Sequence, residues 1–205
     1  MDGIQRRDAV PRDAPAVTAV LAAAFRDGAV AHWLDPDPET RPRHSVGYFG
    51  PIVDSAIAVG VARLAEADGE IVAAALWFSF PGPALPADDV VEPDEAIAPE
   101  VLARLRALER VVAERHPAGD RHDYLTFLGV HPARQGWGIG GALLADHHAR
   151  LDAGGVPAYL EADDARNRQF YRRHGYADRG DPIVLDGRAL MWPMWRPPGG
   201  PRPRR

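Results

Sequence analysis

The chain has 205 residues and a formal net charge of −5 at pH 7, and it contains no cysteine. At this length roughly 70% of the unfolded surface can be buried, so we expect one domain that needs neither disulfides nor metals. The lack of cysteine excludes disulfides, zinc–thiolate sites and a thiol nucleophile. No apolar run could span a membrane, and only the C-terminal end is strongly basic, so we expect a cytoplasmic protein with no membrane or nucleic-acid partner. A monomer and a homodimer are both compatible with this composition.

The first half of the chain predicts, in order, a strand, a helix, a proline-rich loop, a second helix and a hairpin of two strands. These elements are expected at residues 4–7, 14–26, 28–44, 45–59, 62–67 and 71–80. Asp13 is a plausible N-cap of the first helix, with Pro15 in its first turn. The pair Asp68 and Gly69 is typical of a tight hairpin turn.

The second half follows an irregular segment, 81–99, whose acidic run at 88–95 is either a solvated linker or a negative rim for a cationic substrate. A helix, a strand, a glycine-rich helix start, a strand, a short helix and two strands are then expected at residues 99–116, 124–130, 136–141, 156–162, 167–174, 176–178 and 189–195. One βαβ crossover, at 124–162, predicts a mixed α/β sheet with helices on both sides. We expect residues 1–196 to form one domain and 197–205 to be a disordered tail.

The glycine-rich helix start is the most informative stretch of the chain. Gly138, Gly140 and Gly141 each cost a helix roughly 1 kcal/mol relative to alanine, so a functional advantage should offset them. Without a Cβ, a ligand can approach the free amides of the first turn. Those amides and the positive end of the helix dipole form an anion site suited to phosphates.

Two ligand classes fit such a site. The pattern Gly136-x-Gly138-x-x-Gly141 matches a dinucleotide fingerprint, and Glu161 follows about 20 residues later. A six-residue connection after the strand argues against it, because the fingerprint places its first glycine directly after the strand. The overlapping pattern Gln135-x-x-Gly138-x-Gly140 resembles the Q/R-x-x-G-x-G/A loop of the GNAT acetyltransferase superfamily, which wraps the pyrophosphate of coenzyme A. We favour acetyl-CoA, with a dinucleotide or a purely structural turn as alternatives.

A second stretch, Asn167-x-x-Phe170-Tyr171-x-x-x-Gly175-Tyr176, also resembles the GNAT superfamily. In the family the asparagine bonds the pantetheine arm and the tyrosine protonates the departing thiolate, which implies these roles for Asn167 and Tyr171. A phenol suits this task because thiol and phenol pKa values both lie near about 9–10. The alternatives are a core aromatic residue for Tyr171 and a helix cap for Asn167.

The resemblance implies the GNAT fold: a mixed, mostly antiparallel α/β sheet, flanked by helices, whose central parallel strands splay apart. Acetyl-CoA would lie between those strands as co-substrate. No metal is expected, because the histidines match no metal-binding motif. Trp137 occupies a loop position that is more often basic or polar in the family. Its ring can stack on adenine or cover the loop, and Arg134 can supply the missing charge. The implied binding residues are Leu128, Gly129, Val130, Arg134, Gln135, Gly136, Trp137, Gly138, Ile139, Gly140, Gly141, Asn167 and Tyr171. Gly129 would allow a bulge or a close approach.

Glu161 ends the strand after the crossover, and alternation places it on the same face as Tyr159. A carboxylate there can accept the proton of an incoming ammonium, which is typically worth about 10²–10⁴-fold in rate. An exposed strand-end acid, or a partner for an arginine, is an equal alternative.

Within the superfamily the chain most resembles the puromycin N-acetyltransferase-like enzymes, on segments such as F-L-G-V-H-P-A-R-Q-G-W-G-I-G and R-N-R-Q-F-Y-R-R-H-G-Y. The resemblance implies acetyl transfer to the primary amine of a small, antibiotic-like molecule by direct attack in a ternary complex, since no cysteine can carry the acetyl group. A non-catalytic coenzyme A-binding module and a protein N-terminal acetyltransferase are the alternatives.

Overall fold

The computed structural model describes residues 3–81, 97–187 and 189–199. The acidic run at 88–95 and residues 200–205 of the predicted tail lie outside the described residues. Within them the helices are α1 (Ala14–Phe25), α2 (Ala29–Leu34), α3 (Arg41–Val59), α4 (Pro99–Arg115), α5 (Ile139–Ala153) and α6 (Ala165–Arg173). The strands are β1 (Ile4–Asp8), β2 (Val61–Ala67), β3 (Glu70–Phe80), β4 (His122–Val130), β5 (Ala158–Ala162), β6 (Ala177–Asp178), β7 (Ile183–Leu185) and β8 (Ala189–Arg196).

The strands form one twisted path in the order β1-β2-β3-β4-β5-β8-β6, with β7 paired to β8. Every pairing is antiparallel except that of β4 with β5, which are joined by the α5 crossover. This arrangement confirms the predicted mixed, mostly antiparallel α/β fold. No helix in the described part of the chain is both long and apolar enough to cross a membrane.

The two parallel strands separate soon after they meet. Their register contains only the pairs Asp123 with Ala158 and Tyr124 with Tyr159, although β4 continues to Val130. Where the strands separate, the β3–β4 ladder shifts register, because Leu76 and Trp77 face Phe127 and Leu125. Thr126 is therefore the extra residue of a β-bulge, a feature that bends a strand. The predicted splay of the central strands is confirmed.

Helices cover the sheet on both faces. On one face α1 and α3 pack on a cluster that includes Leu64 and Leu76, and on the other α5 and α6 pack on a cluster that includes Trp77 and Leu160. Burying each large aliphatic side chain stabilises the fold by about 1.5–3 kcal/mol, so these two layers supply most of the driving force. The gap between β4 and β5 therefore opens between two packed layers.

The prediction of an irregular loop at 28–44 was wrong, since α2 and the start of α3 lie there. The reason is a buried polar cluster around Asp35. Its carboxylate accepts hydrogen bonds from His44 Nδ1 at 2.7 Å and Thr40 Oγ1 at 2.9 Å, while Arg41 Nε donates to its carbonyl at 2.7 Å. These bonds hold the chain between two helices in a way that proline content alone does not reveal.

The remaining differences are local. The hairpin turn at Asp68 was predicted correctly, and Asp68 has a positive φ of 55°. Asp186, in the turn between β7 and β8, has a φ of 48°. Asp13 precedes α1, but it does not cap the helix: its carboxylate accepts from the Val10 amide at 2.8 Å and from Arg7. Of the predicted tail, residues 197–199 are described, and the Gly199 amide donates to Asp152 Oδ1 at 2.7 Å.

Candidate active site

The glycine-rich loop forms a row of free amide donors at the start of α5. Gly136 and Gly138 have φ values of 82° and 76°, a conformation that favours glycine. Counting from Gly136, the first amide that has a backbone partner among the described residues is that of Ala142, which donates to the Gly138 carbonyl at 3.0 Å. The six amides of residues 136–141 have no hydrogen-bond partner in the described part of the chain. Six adjacent donors at the positive end of a helix form an anion-binding surface.

The side chains around this loop fix its shape. Gln135 Nε2 donates to the Val130 carbonyl at 3.1 Å, which ties the loop to the end of β4. The Arg134 guanidinium lies 5.1 Å from the centre of the Trp137 ring and pairs with Asp68 at 2.9 Å. Trp137 is 53% exposed, so its ring covers the outer side of the loop. Arg134 shares its charge with Asp68, and it is therefore a weaker phosphate ligand than an unpaired arginine.

Gly129 allows a close approach, but the neighbour is a helix. A Cβ at this position would stand 2.8 Å from Leu21 Cδ2 and 3.1 Å from Ala24 Cβ, both on α1. The predicted close approach at this glycine is made by α1, whose packing requires a residue without a Cβ whether or not a ligand binds the β4 backbone.

The backbone of β4 exposes alternate groups to the gap. The His131 amide donates to the Val72 carbonyl of β3 at 2.8 Å. Alternation then turns the polar groups of Leu128 and Val130 away from β3, toward the side that β5 has left. Leu128 and Val130 are thus the predicted residues whose backbone groups face the gap, with the Val130 carbonyl already bonded to Gln135.

Asn167 lies in the first turn of α6, but Asp164 is the cap of that helix. The Asp164 carboxylate accepts from the Asn167 amide at 2.6 Å. The side-chain nitrogen of Asn167 donates to Asp163 at 2.7 Å and to Asp164 at 3.2 Å. Its side-chain oxygen is the group left for a ligand, and this oxygen can only accept a hydrogen bond.

Tyr171 is buried on the α5 side of β5. Its ring lies 5.2 Å from that of Phe170 and 5.7 Å from that of Tyr176. Burial, and then the charges of Asp163 and Asp164, raise the pKa of Tyr171 above its ordinary range. This direction differs from the expected match with a thiol pKa, and the phenol keeps its proton at physiological pH.

Glu161 is held by Tyr124, its neighbour across the two strands. The Tyr124 hydroxyl donates to Glu161 Oε2 at 2.7 Å, while Oε1 is buried and has no partner in the structure as described. Burial raises the pKa of Glu161 to about 7, against the opposing effect of the Tyr159 and Tyr124 hydroxyls. Oε1 is thus a basic oxygen whose protonation changes near neutral pH.

The sequence analysis did not identify two residues of this site, Thr126 and Tyr124. Thr126, the bulge residue, has a buried hydroxyl with no partner among the described residues. Extending the parallel register by two residues from Tyr124 and Tyr159 places Thr126 level with Glu161. Alternation could have placed Tyr124 on the Glu161 face, but the strand register and the bulge depend on tertiary contacts.

The two candidate catalytic side chains lie on opposite faces of β5. Tyr171 packs with Leu160 and the residues of α5, whereas Glu161 contacts Tyr124 on the α3 and α4 side. A reaction in the gap between the strands could therefore receive a base from one face and an acid from the other.

His147 and His148, both buried on α5, form hydrogen-bonded pairs. His147 Nε2 donates to the Asp123 carboxylate at 2.9 Å, which also accepts from the Ser79 hydroxyl, and His148 Nε2 lies 3.0 Å from the Tyr176 hydroxyl. No group of three or more potential metal ligands comes together within residues 3–81, 97–187 and 189–199.

Comparisons with known proteins agree with this geometry. Residues 105–178 match the family model described as the acetyltransferase (GNAT) domain. The chain is 26% identical to a structure from Corynebacterium glutamicum described as histone acetyltransferase HPA2 and related acetyltransferase, with a TM-score of 0.70 over 97% of this chain and 98% of that one. These findings support an acetyltransferase of the GNAT family.

Two more distant structures share the fold. One is a GNAT family acetyltransferase from Brucella melitensis in complex with acetyl-CoA, at 21% identity, a TM-score of 0.54 and coverage of 100% of this chain and 95% of that one. The other is the PaiA N-acetyltransferase from Thermoplasma acidophilum in complex with coenzyme A, at 13% identity, a TM-score of 0.58 and coverage of 95% and 98%.

Proposed function

We propose that this protein transfers an acetyl group from acetyl-CoA to the primary amine of a small molecule. The observation that carries the proposal is the row of six amides at residues 136–141, beside the gap between β4 and β5, which have no partner among the residues that the structure describes. Each charge-assisted hydrogen bond from such amides contributes roughly 1.5–3 kcal/mol, which suits a pyrophosphate. The gap continues from this anion site along β4, as an extended pantetheine arm requires.

The residues along the gap fit that arm. Backbone groups of Leu128 face the gap, and the side-chain oxygen of Asn167 can accept from an amide N–H. A dinucleotide would need its second half to rest on further parallel strands, whereas β5 is followed by antiparallel pairing with β8. The bound forms of the Brucella and Thermoplasma proteins support the choice of coenzyme A.

The chemistry follows from the positions of the two side chains. Acetyl-CoA supplies an activated acetyl group when it is bound. Glu161 Oε1 takes the proton of the attacking amine as the new C–N bond forms to the acetyl carbon. Tyr171 gives its phenolic proton to the sulfur as the C–S bond breaks. The chain has no cysteine, so the transfer proceeds by direct attack in a ternary complex.

We propose a small, antibiotic-like amine as the acceptor. The similarity of its motifs to puromycin N-acetyltransferase-like enzymes supports this choice. The tyrosines near Glu161 are consistent with a substrate that carries a cationic amine on an apolar body, since aromatic rings favour nearby cations.

Calorimetry and a thiol-release assay test the proposal together. Acetyl-CoA should bind with micromolar affinity, and coenzyme A should be released with at least one amine from a panel of aminonucleosides, aminoglycosides and amino acids. A peptide with a free N-terminus completes the panel. Binding with no turnover would indicate a coenzyme A-binding module, and turnover on the peptide alone a protein N-terminal acetyltransferase. Absence of binding heat with acetyl-CoA and coenzyme A would overturn the proposal.

A further inference from the structure

The carboxylate of Glu161 is asymmetric. Oε2 accepts a hydrogen bond of 2.7 Å from the Tyr124 hydroxyl, and the buried Oε1 has no partner in the described residues. A buried carboxylate oxygen without a donor is costly, so the fold maintains this arrangement against a desolvation penalty.

The position of the bond in the sheet explains the asymmetry. Tyr124 and Tyr159 form the last pair of the parallel register, and Glu161 lies two residues beyond it. Tyr124 lies in the last residue pair that joins β4 to β5, and from there its hydroxyl reaches Glu161 Oε2. Beyond this pair the two strands separate, so no paired β4 residue lies opposite Oε1. The next β4 residue on that side, Thr126, belongs to the bulge.

From this geometry we propose that Tyr124 is the positioning residue of the general base, holding Glu161 Oε2 so that Oε1 alone is presented to the acceptor amine. This inference rests on the proposed function. It adds a role for a residue that never contacts the reacting atoms, and it explains why one carboxylate oxygen is left without a donor.

Tyr124 can serve only as a donor here. Burial, and then the charge of Glu161, raise the pKa of Tyr124 well above its ordinary value, so the hydroxyl keeps its single proton. That proton is committed to Oε2. Among the described residues, Tyr48 on α3 and Tyr159 on β5 also interact with Glu161, and Glu109 on α4 interacts with Tyr48. His116, directly after α4, packs against the rings of Tyr124 and Tyr159 at 5.0 Å.

Tyr159 is the competing candidate for the same role. Its hydroxyl lowers the pKa of Glu161 more than the Tyr124 hydroxyl does, although it also donates to the Arg115 carbonyl at 3.4 Å. The bond from Tyr124 is shorter and reaches the carboxylate itself. If Tyr124 holds the carboxylate, Tyr124→Phe shifts the titration midpoint of Glu161 more than Tyr159→Phe does. If Tyr159 holds it, the order is reversed.

The test is a direct titration of Glu161 by infrared difference spectroscopy, which separates protonated carboxyl from carboxylate. Subtracting the spectra of Glu161→Gln isolates the Glu161 signal, and the same subtraction with Tyr124→Phe/Glu161→Gln isolates it in the variant. Tyr124→Phe should raise the midpoint by about one pH unit, because a hydrogen bond to the charged form is lost. The titration needs no substrate, so it is independent of whether turnover is found.

Two controls make the result decisive. Tyr176→Phe removes another buried phenol, bonded to His148, and should lower the melting temperature without moving the Glu161 midpoint. Tyr159→Phe should move the midpoint less than Tyr124→Phe does. A midpoint unchanged in Tyr124→Phe, or a larger shift in Tyr159→Phe, would overturn the assignment.

Discussion

Tyr171 holds its proton more tightly than an exposed phenol, because burial and two nearby carboxylates raise its pKa. We predict that Tyr171→Phe keeps acetyl-CoA affinity and lowers kcat by roughly 10–10³, since only a proton donor is lost. Calorimetry with acetyl-CoA and thiol release with the most active amine of the panel measure the two quantities. Tyr176→Phe, which changes a buried phenol outside the proposed chemistry, is the matched control. An unchanged kcat would mean that the thiolate leaves without a donor.

Thr126 carries a buried hydroxyl that the described fold does not use. Replacing it with valine keeps the shape and removes a polar group whose burial costs about 1–3 kcal/mol, so Thr126→Val should raise the melting temperature. Ser79→Ala is the opposite case, because the Ser79 hydroxyl donates to Asp123 at 2.8 Å and its loss should lower stability. Thermal unfolding of both variants checks the contrast. A destabilised Thr126→Val protein would show that the hydroxyl has a structural partner.

The helix start of α5 limits which glycine variants are informative. Gly138 has a φ of 76°, so valine there is strained by roughly 1–2 kcal/mol or more and should destabilise the fold. Gly140 differs, because a Cβ would meet Val130 and Phe170 at ordinary contact distances of 3.5 and 3.8 Å. A substitution at Gly138 therefore tests the ligand site, whereas a substitution at Gly140 tests the packing of the helix.

We predict that Gly138→Val melts below the wild type and gains no stability from acetyl-CoA. Its side chain would point into open space beside the free amides, where a phosphate must approach. Gly140→Ala should melt slightly higher, as alanine favours the helix by about 1 kcal/mol, and should still be stabilised by the ligand. Melting curves with and without acetyl-CoA measure both effects. If Gly138→Val is still stabilised by the ligand, the phosphates bind elsewhere.

At the scale of elements, the sequence predicted structure that depends on neighbouring residues, but it did not predict structure that depends on long-range contacts. The Asp68 and Gly69 turn was predicted because the pair suits positive φ. The helices at 28–44 were missed because they depend on the buried Asp35 cluster, whose members come together only in the folded chain. The same limit applies to the site: the glycine loop was readable, whereas the Tyr124 bond and the Thr126 bulge follow from strand register.

At the scale of the whole molecule, stability depends on pH through several buried groups. Burial lowers the pKa of His148 to about 3 and that of His116 to about 4. Each contribution is present above the ordinary histidine pKa and is lost as the pH falls below it, because the unfolded chain then binds more protons. These histidines favour the fold at neutral pH.

Glu161 acts in the opposite direction, and we expect Glu161→Gln to be more stable than the wild type at pH 8. Its pKa rises from 4.5 to about 7 on folding, so between these values the folded state holds a proton that the unfolded state has lost. Stability therefore falls as the pH rises through this window, by roughly 3 kcal/mol in total. Urea unfolding of both proteins at pH 5 and pH 8 measures the change, and the histidine contributions cancel in the difference. An advantage of Glu161→Gln that does not grow between pH 5 and pH 8 would show that Glu161 titrates outside this range.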